Sequence, residues 1–309
     1  MKQATILTGG VGGAKLVLGL VSARPDLDVT AIVNTGDDFT HLGLHVSPDI
    51  DTLLYTLSGK SNEQLGWGRK DETWSFMSAV RSLSGPDWFN LGDGDLALHV
   101  LRSARLAEGN SLSEIIRDFA VQWAISAKIL PMSDDPVRTM VRTDQGVLGF
   151  QNYFVEHKCQ PAVSGIEFEG ASKARTAPGV QDAILDADVV MIAPSNPYLS
   201  VDPILAVPGI AGALRETRAP VVAVSPIVGG TAVKGPTAKI MRELGIAPDN
   251  SSIAEHYAGL LDGLVFDEQD EPPRSDIARY ATDTLMKTLE DRQRVALAAL
   301  DLATGLSAG

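Results

Sequence analysis

The apolar run Ala4-Thr5-Ile6-Leu7-Thr8 leads directly into Gly9-Gly10-Val11-Gly12-Gly13, and residues 14–20 then show helical spacing. A β-rich strand, a loop with four glycines and a helix in immediate succession leave few architectures open. Val29-Thr30-Ala31-Ile32-Val33 follows the Arg24-Pro25-Asp26 turn, so the first 34 residues read as a βαβ unit. Right-handed crossover makes its two strands parallel.

Strand signals recur at 188–193, 220–224 and 263–266, each followed by a polar or Gly/Pro-rich loop. The expected fold class is therefore α/β and Rossmann-like, a mainly parallel sheet flanked by helices, with an inserted helical and short-strand region. The expected organisation is a core whose first part spans 1–130, an inserted short-strand region at 131–180, and the second part of the core at 181–309. In the middle, 96–105 and 112–125 have helical periodicity, whereas 137–143, 147–155 and 163–168 read as short strands. Near the end, 279–286 reads as a strand or a helix start and 291–303 as a helix. Ligands of an open parallel sheet bind outside the carboxyl ends of its strands, so the loops after Thr8, Val33, Ala193 and Val224 are expected to line one cleft.

A formal net charge of −13 argues against nucleic acid as a partner. No stretch reaches the roughly 20 apolar residues that span a bilayer, and the chain opens without a basic leader, so no membrane association and a cytoplasmic location are expected. The single cysteine, Cys159, supplies neither a disulfide framework nor a metal cluster. A phosphorylated small ligand still fits, provided backbone N–H groups, local cations or a metal ion overcome the negative field.

Gly9, Gly10, Gly12 and Gly13 stand between a strand and a helix, where backbone N–H groups and the helix end favour a phosphate. A tight structural turn is the alternative. The loop is not a Walker motif, because Ala14 precedes Lys15 and Leu16 replaces Ser or Thr; it also breaks the dinucleotide fingerprint at Lys15, which weakens a dehydrogenase reading. Lys15 itself is either a ligand contact or a solvated helix residue. Four carboxylates, Asp37, Asp38, Asp49 and Asp51, fall within 15 residues after the second strand. Such groups suit a hard divalent cation bridging protein to phosphate; helix capping by Asp49 or Asp51 and ribose binding by Asp37 remain open. Ser195-Asn196 and Gly229-Gly230-Thr231 follow strands and are expected in the same cleft, and the Gly66-Trp67-Gly68-Arg69-Lys70-Asp71-Glu72-Thr73-Trp74 segment mixes cations with aromatics, which suits a flat, phosphorylated ligand and equally a packed surface loop.

Taken with Asn34-Thr35-Gly36-Asp37-Asp38, Pro48-Asp49-Ile50-Asp51-Thr52, Leu91-Gly92-Asp93-Gly94-Asp95-Leu96-Ala97, Ala193-Pro194-Ser195-Asn196-Pro197 and the segment 225–234, these motifs resemble the 2-phospholactate transferase family, CofD in archaea and FbiA in actinobacteria, of coenzyme F-420 biosynthesis. The resemblance implies transfer of a phosphorylated three-carbon acid (2-phospholactate, phosphoenolpyruvate or 3-phosphoglycerate) from a guanosine diphosphate-linked donor to the ribityl hydroxyl of the deazaflavin Fo, with release of GMP. It implies Mg2+ as cofactor, Asp37 and Asp51 as catalytic metal ligands with Asp38 and Asp49 as weaker candidates, and a homodimer. The glycine loop with Lys15 and Asn34, Ser195 and Asn196, and Gly229, Gly230 and Thr231 would hold nucleotide or donor. Two positions depart from the pattern: Arg69-Lys70 stands for His-Arg, and Gly94 for an arginine. The alternative is a nucleotide-sugar-binding regulatory protein like the related YvcK group, which shares the glycine loop and the Asn-x-Gly-Asp-Asp segment.

Overall fold

The computed structural model describes residues 1–232 and 235–307. Seven strands form one sheet: β1 (Gln3–Thr8), β2 (Asp28–Val33), β3 (Lys128–Pro131), β4 (Val189–Ile192), β5 (Val221–Val224), β6 (Gly263–Asp267) and β7 (Ala278–Thr282). Their order is β7-β6-β5-β4-β1-β2-β3 and every neighbouring pair is parallel. Leu7 pairs with Ile32 on one side and Ile192 on the other. The chain leaves β1 toward β2 and β3, then returns to the far side of β1 for β4, so the strand order reverses between β1 and β4. That reversal opens a crevice at the carboxyl ends of the two strands.

Both faces of the sheet are covered, which is why its strands read as continuous apolar runs rather than alternating ones. Ile6, Ala31, Val33, Met191, Val222 and Val265 belong to one core, with α1 (Gly10–Ala23), α2 (Pro48–Leu57) and the last helix (Leu289–Ser307). Leu7, Ile32, Val190, Ile192, Ala223 and Leu264 belong to the other. Neighbouring residues of one strand thus feed opposite cores, as the two-residue period of the pleat requires.

Between β3 and β4 lies an antiparallel three-stranded sheet of Arg138–Thr143, Gly146–Gly149 and Val163–Glu169, with Arg138–Thr143 in the centre. The strand expected over 147–155 stops at Gly149 and gives way to a π-helix, Asn152–Glu156. The physical reason is the spacing of its aromatics: Phe150 and Phe154 are four residues apart and stack at 5.4 Å, which helical turns allow and an extended strand does not. Likewise the extended segment at 279–286 is a strand only as far as Thr282. Among the described residues, no single helix is long and apolar enough to cross a membrane.

α1 approaches the last helix so closely at Gly19 that a Cβ there would overlap the Arg292 carbonyl, which is backbone and has no rotamer to yield. Gly19→Ala is therefore expected to destabilise the chain by roughly 1–3 kcal/mol, as overpacking does. Gly212→Ala, on a helix surface with open space at the Cβ, should instead be neutral or stabilising by up to about 1 kcal/mol. Urea midpoints of the two variants check the contrast; equal midpoints would show that the helices are not in contact at Gly19.

Candidate active site

The crevice opens into a cavity of about 690 Å³. Residues from the loops after β1 (Gly9, Gly10, Gly12), β2 (Asp37), β4 (Pro194, Asn196) and β5 (Ser225, Pro226) all line it, together with Lys15, Asp49, Asp51 and Tyr55.

Glycine is required in the first loop by close approach as much as by conformation. A Cβ on Gly9 would lie 2.6 Å from Asp49 Oδ2, and one on Gly12 would lie 2.8 Å from the Pro194 carbonyl. Gly13 has no room beside the Thr8 and Ser195 hydroxyls, and Gly10 has φ +64°, in the left-handed region. Ser195 braces the loop: its Oγ donates to the Gly9 carbonyl at 2.7 Å and accepts the Gly9 N–H at 3.2 Å. The N-cap residue of α1 is a glycine and its first turn holds no acidic residue, but the Gly10 N–H meets the Asp49 carboxylate, so the field of the helix end acts on that group as well as on the cavity. Lys15 donates to the Met286 carbonyl at 2.6 Å, tying the loop's helix to another cavity-lining segment.

The four aspartates divide into two pairs. Asp51 is ion-paired through both oxygens with Arg102, whose side chain is 0% exposed; Arg102 Nη1 meets Oδ2 at 3.2 Å and Nη2 meets Oδ1. His99 lies 3.6 Å from the same carboxylate and 3.2 Å from Asp95, and Asp95 accepts the Tyr55 hydroxyl. Asp38 accepts Ser47 Oγ at 2.7 Å and pairs with His45 at 3.1 Å. By contrast, Asp37 and Asp49 are buried with no cationic partner among the described residues. Asp37 Oδ1 has no hydrogen bond at all. Asp49 is held by Asn34 Nδ2 at 3.0 Å and by the Gly10 N–H.

Desolvation, followed by the charge of Asp49, pushes the Asp37 carboxyl well above its ordinary range. Desolvation also raises Asp49, to about 6, although Asn34 and the Gly10 N–H oppose it. Of the pair that the resemblance implies as metal ligands, Asp51 has both oxygens engaged by Arg102, whereas Asp37 has no such partner among the described residues and lies beside Asp49.

Other expected residues are placed as follows. Gly9, Gly10, Gly12, Lys15, Asp37, Asp51 and Asn196 line the cavity, whereas Gly13, Asn34, Asp38 and Ser195 stand behind it and position those that do. Asn196 spends its Oδ1 on the Tyr198 and Leu199 N–H groups, starting the turn that follows β4. Gly229, Gly230 and Thr231 do not line the cavity; Gly229 and Gly230 donate their N–H groups to Asp270 at 2.9 and 2.7 Å, so an internal carboxylate already fills that anion site. Of the motif 225–234, Val233 and Lys234 lie outside the described residues.

The segments 66–74 and 91–97 cap each other's helices. Glu72 accepts the Gly94 and Asp95 N–H groups at 2.6 and 2.9 Å at the start of α4 (Asp93–Ala107), and Asp93 accepts the Phe76 N–H at 3.0 Å in the first turn of α3 (Ser75–Ser82). Arg69, paired with Glu72 at 3.1 Å, fills the space a side chain at Gly94 would need, so the two departures from the family pattern occupy one place. From these segments Gly66, Trp67, Gly68 and Asp95 reach the cavity.

The residues that the sequence did not single out are His99 and Arg102. A signal existed: Asp95, His99 and Arg102 recur at four- and three-residue steps and mark one polar face of α4, but that face is buried while Val100 and Leu101 are exposed. The usual rule that a helix buries its apolar face points the wrong way here.

Residues 4–304 match the family model described as 2-phospho-L-lactate transferase CofD. A phosphoenolpyruvate transferase from Streptomyces griseus subsp. griseus is 40% identical over 312 residues, covering 97% of this chain and 98% of the relative. One from Kitasatospora aureofaciens is 42% identical over 309 residues, 96% of each chain, and one from Mycolicibacterium smegmatis is 37% identical over 322 residues, 97% of this chain and 98% of the relative. A UPF0052-family protein from Bacillus halodurans has a TM-score of 0.65 at 19% identity, over 97% of this chain and 100% of that one, a likeness of fold.

Because the folded chain holds protons on Asp37 and Asp49 that the unfolded chain releases near the ordinary carboxylate pKa, the pair's contribution to stability is present in acid and is lost as pH rises through the folded values, about 6 for Asp49. Asp37→Asn, measured by thermal unfolding without divalent cations, is expected to stabilise the chain relative to wild type more at about pH 7.5 than at about pH 4. A difference independent of pH would mean that Asp37 is not strained by its charge.

Proposed function

The chain belongs to the 2-phospho-L-lactate transferase CofD family, and from that premise we propose that it transfers the phosphoenolpyruvate group of a guanosine diphosphate-linked donor to the ribityl hydroxyl of the deazaflavin Fo, releasing GMP. The names of relatives about 40% identical support the choice of acid. The observation that carries the reading is the junction of a helix N-terminus with two buried carboxylates that have no cationic partner among the described residues, at the reversal of the strand order and inside one cavity that also presents Trp67, Phe150 and Phe154. Phosphate binding, charge neutralisation and a planar ring are three demands of this substrate pair, and each has residues suited to it.

In the proposed step the acceptor hydroxyl oxygen forms a bond to the phosphorus that carries the acid and loses its proton to solvent, and the bond from that phosphorus to the bridging oxygen breaks, so GMP leaves with the bridging oxygen. The backbone N–H groups at the start of α1 and the Lys15 ammonium stabilise the charge that develops on the diphosphate. Ser195 holds the loop's backbone in that orientation, and Asn34 holds Asp49. Arg102 fixes Asp51 at the cavity wall and offsets part of the negative field that would repel the donor.

Asp37 and Asp49 would hold Mg2+. No group of three or more His, Cys, Asp or Glu among the described residues is arranged to hold a metal, and a pair of carboxylates fits magnesium, whose remaining ligands are commonly phosphate oxygens and water. When bound, the ion neutralises the diphosphate and makes its phosphorus more electrophilic.

Incubation with Fo, the phosphoenolpyruvyl donor and Mg2+ should release GMP in step with a phosphoenolpyruvyl adduct of Fo, resolved by chromatography. Chelation of divalent ions should abolish the release, and Asp49→Asn should lower kcat by about a hundredfold or more, the scale of losing a group that stabilises transition-state charge. GMP release that is undiminished by chelation would remove magnesium from the mechanism, and no release with wild type would remove the reaction.

A further inference from the structure

Gln151 is 7% exposed and lines the cavity, yet its amide makes no hydrogen bond with another described residue. The amide is open to the cavity rather than sealed in the core, so its donor and acceptor stand ready to pair with a bound ligand. Its surroundings specify that partner. Phe150, immediately before it, and Phe154, one turn on, stack at 5.4 Å with planes 24° apart, and both line the cavity. Phe154 is 40% exposed and belongs to the π-helix Asn152–Glu156, which carries it to the cavity from an otherwise regular hairpin sheet. A flat apolar face beside an unpaired donor and acceptor suits a planar heterocycle rather than a diphosphate, for which the cavity already offers backbone N–H groups and a cation site.

We propose that Gln151 determines acceptor specificity by pairing, through its C=O and NH2 groups, with an adjacent N–H and carbonyl on the edge of a planar heterocycle that packs against Phe154. The assignment rests on the deazaflavin reading above, since the pyrimidinedione ring of Fo carries that edge. A glutamine offers donor and acceptor side by side, and a site built to hydrogen-bond an edge rejects ligands that lack it.

The test is the dissociation constant of Fo, followed by its fluorescence, for wild type and Gln151→Leu, with GMP binding as the control for intact folding. A second ligand, Fo methylated on the imide nitrogen, removes the N–H that Gln151 would read. Wild type is expected to bind Fo at least about tenfold more tightly than the methylated analogue, the factor set by one or two uncharged hydrogen bonds. Gln151→Leu should weaken Fo binding by a similar factor, bind both ligands alike, and raise KM for Fo while leaving kcat at saturating Fo and GMP affinity near wild type. Unchanged discrimination in Gln151→Leu would overturn the role of Gln151 while leaving the acceptor intact. Failure of wild type to bind Fo would overturn the acceptor reading and this inference with it.

Discussion

Burial of four aspartates at the edge of a parallel sheet is the constraint around which the site is organised. Water is the ordinary stabiliser of a carboxylate, and the fold removes it. Asp51 receives Arg102 in compensation, and Asp38 receives Ser47 and His45. Among the described residues, Asp37 and Asp49 receive only neutral donors. A chain under selection for stability alone would have little reason to retain this pair, and local violations of folding rules concentrate where a ligand supplies the missing term.

The remaining architecture serves that junction. β1 and β4 are neighbours in the sheet but far apart in sequence, and their pairing brings Gly9 and Ser195 together. Helix α2 starts at Pro48 and places Asp49 and Asp51 in its first turn, favourable positions for anions at a helix N-terminus. Helix α4 then turns its polar face inward, so that Asp95, His99 and Arg102 form the outer wall of the same cluster. The reciprocal caps of Glu72 and Asp93 fix the start of α4 and, with it, the depth at which Arg102 meets Asp51.

A net charge of −13 would repel a diphosphate at long range, so binding depends on local terms. Those terms are short-ranged and screened less than surface charges because the site is buried. This division would let an acidic chain hold the proposed anionic donor without a basic surface.

The βαβ start, the parallel sheet and the loops that border the crevice were legible in the sequence, because an apolar run, a glycine loop and helical spacing are local signals with local causes. The aspartates were legible as a group for the same reason: they cluster within one short segment. Which of them is neutralised was not, since Arg102 comes from a helix some 50 residues on, and only packing decides whether a guanidinium or a neutral amide faces a given carboxylate. The glycines at 229 and 230 show the converse, a local phosphate signal filled in the fold by Asp270 from a remote loop. Sequence alone determined the scaffold and the residue types at its edge; tertiary structure decided their charges and partners, because those depend on contacts that no local pattern encodes.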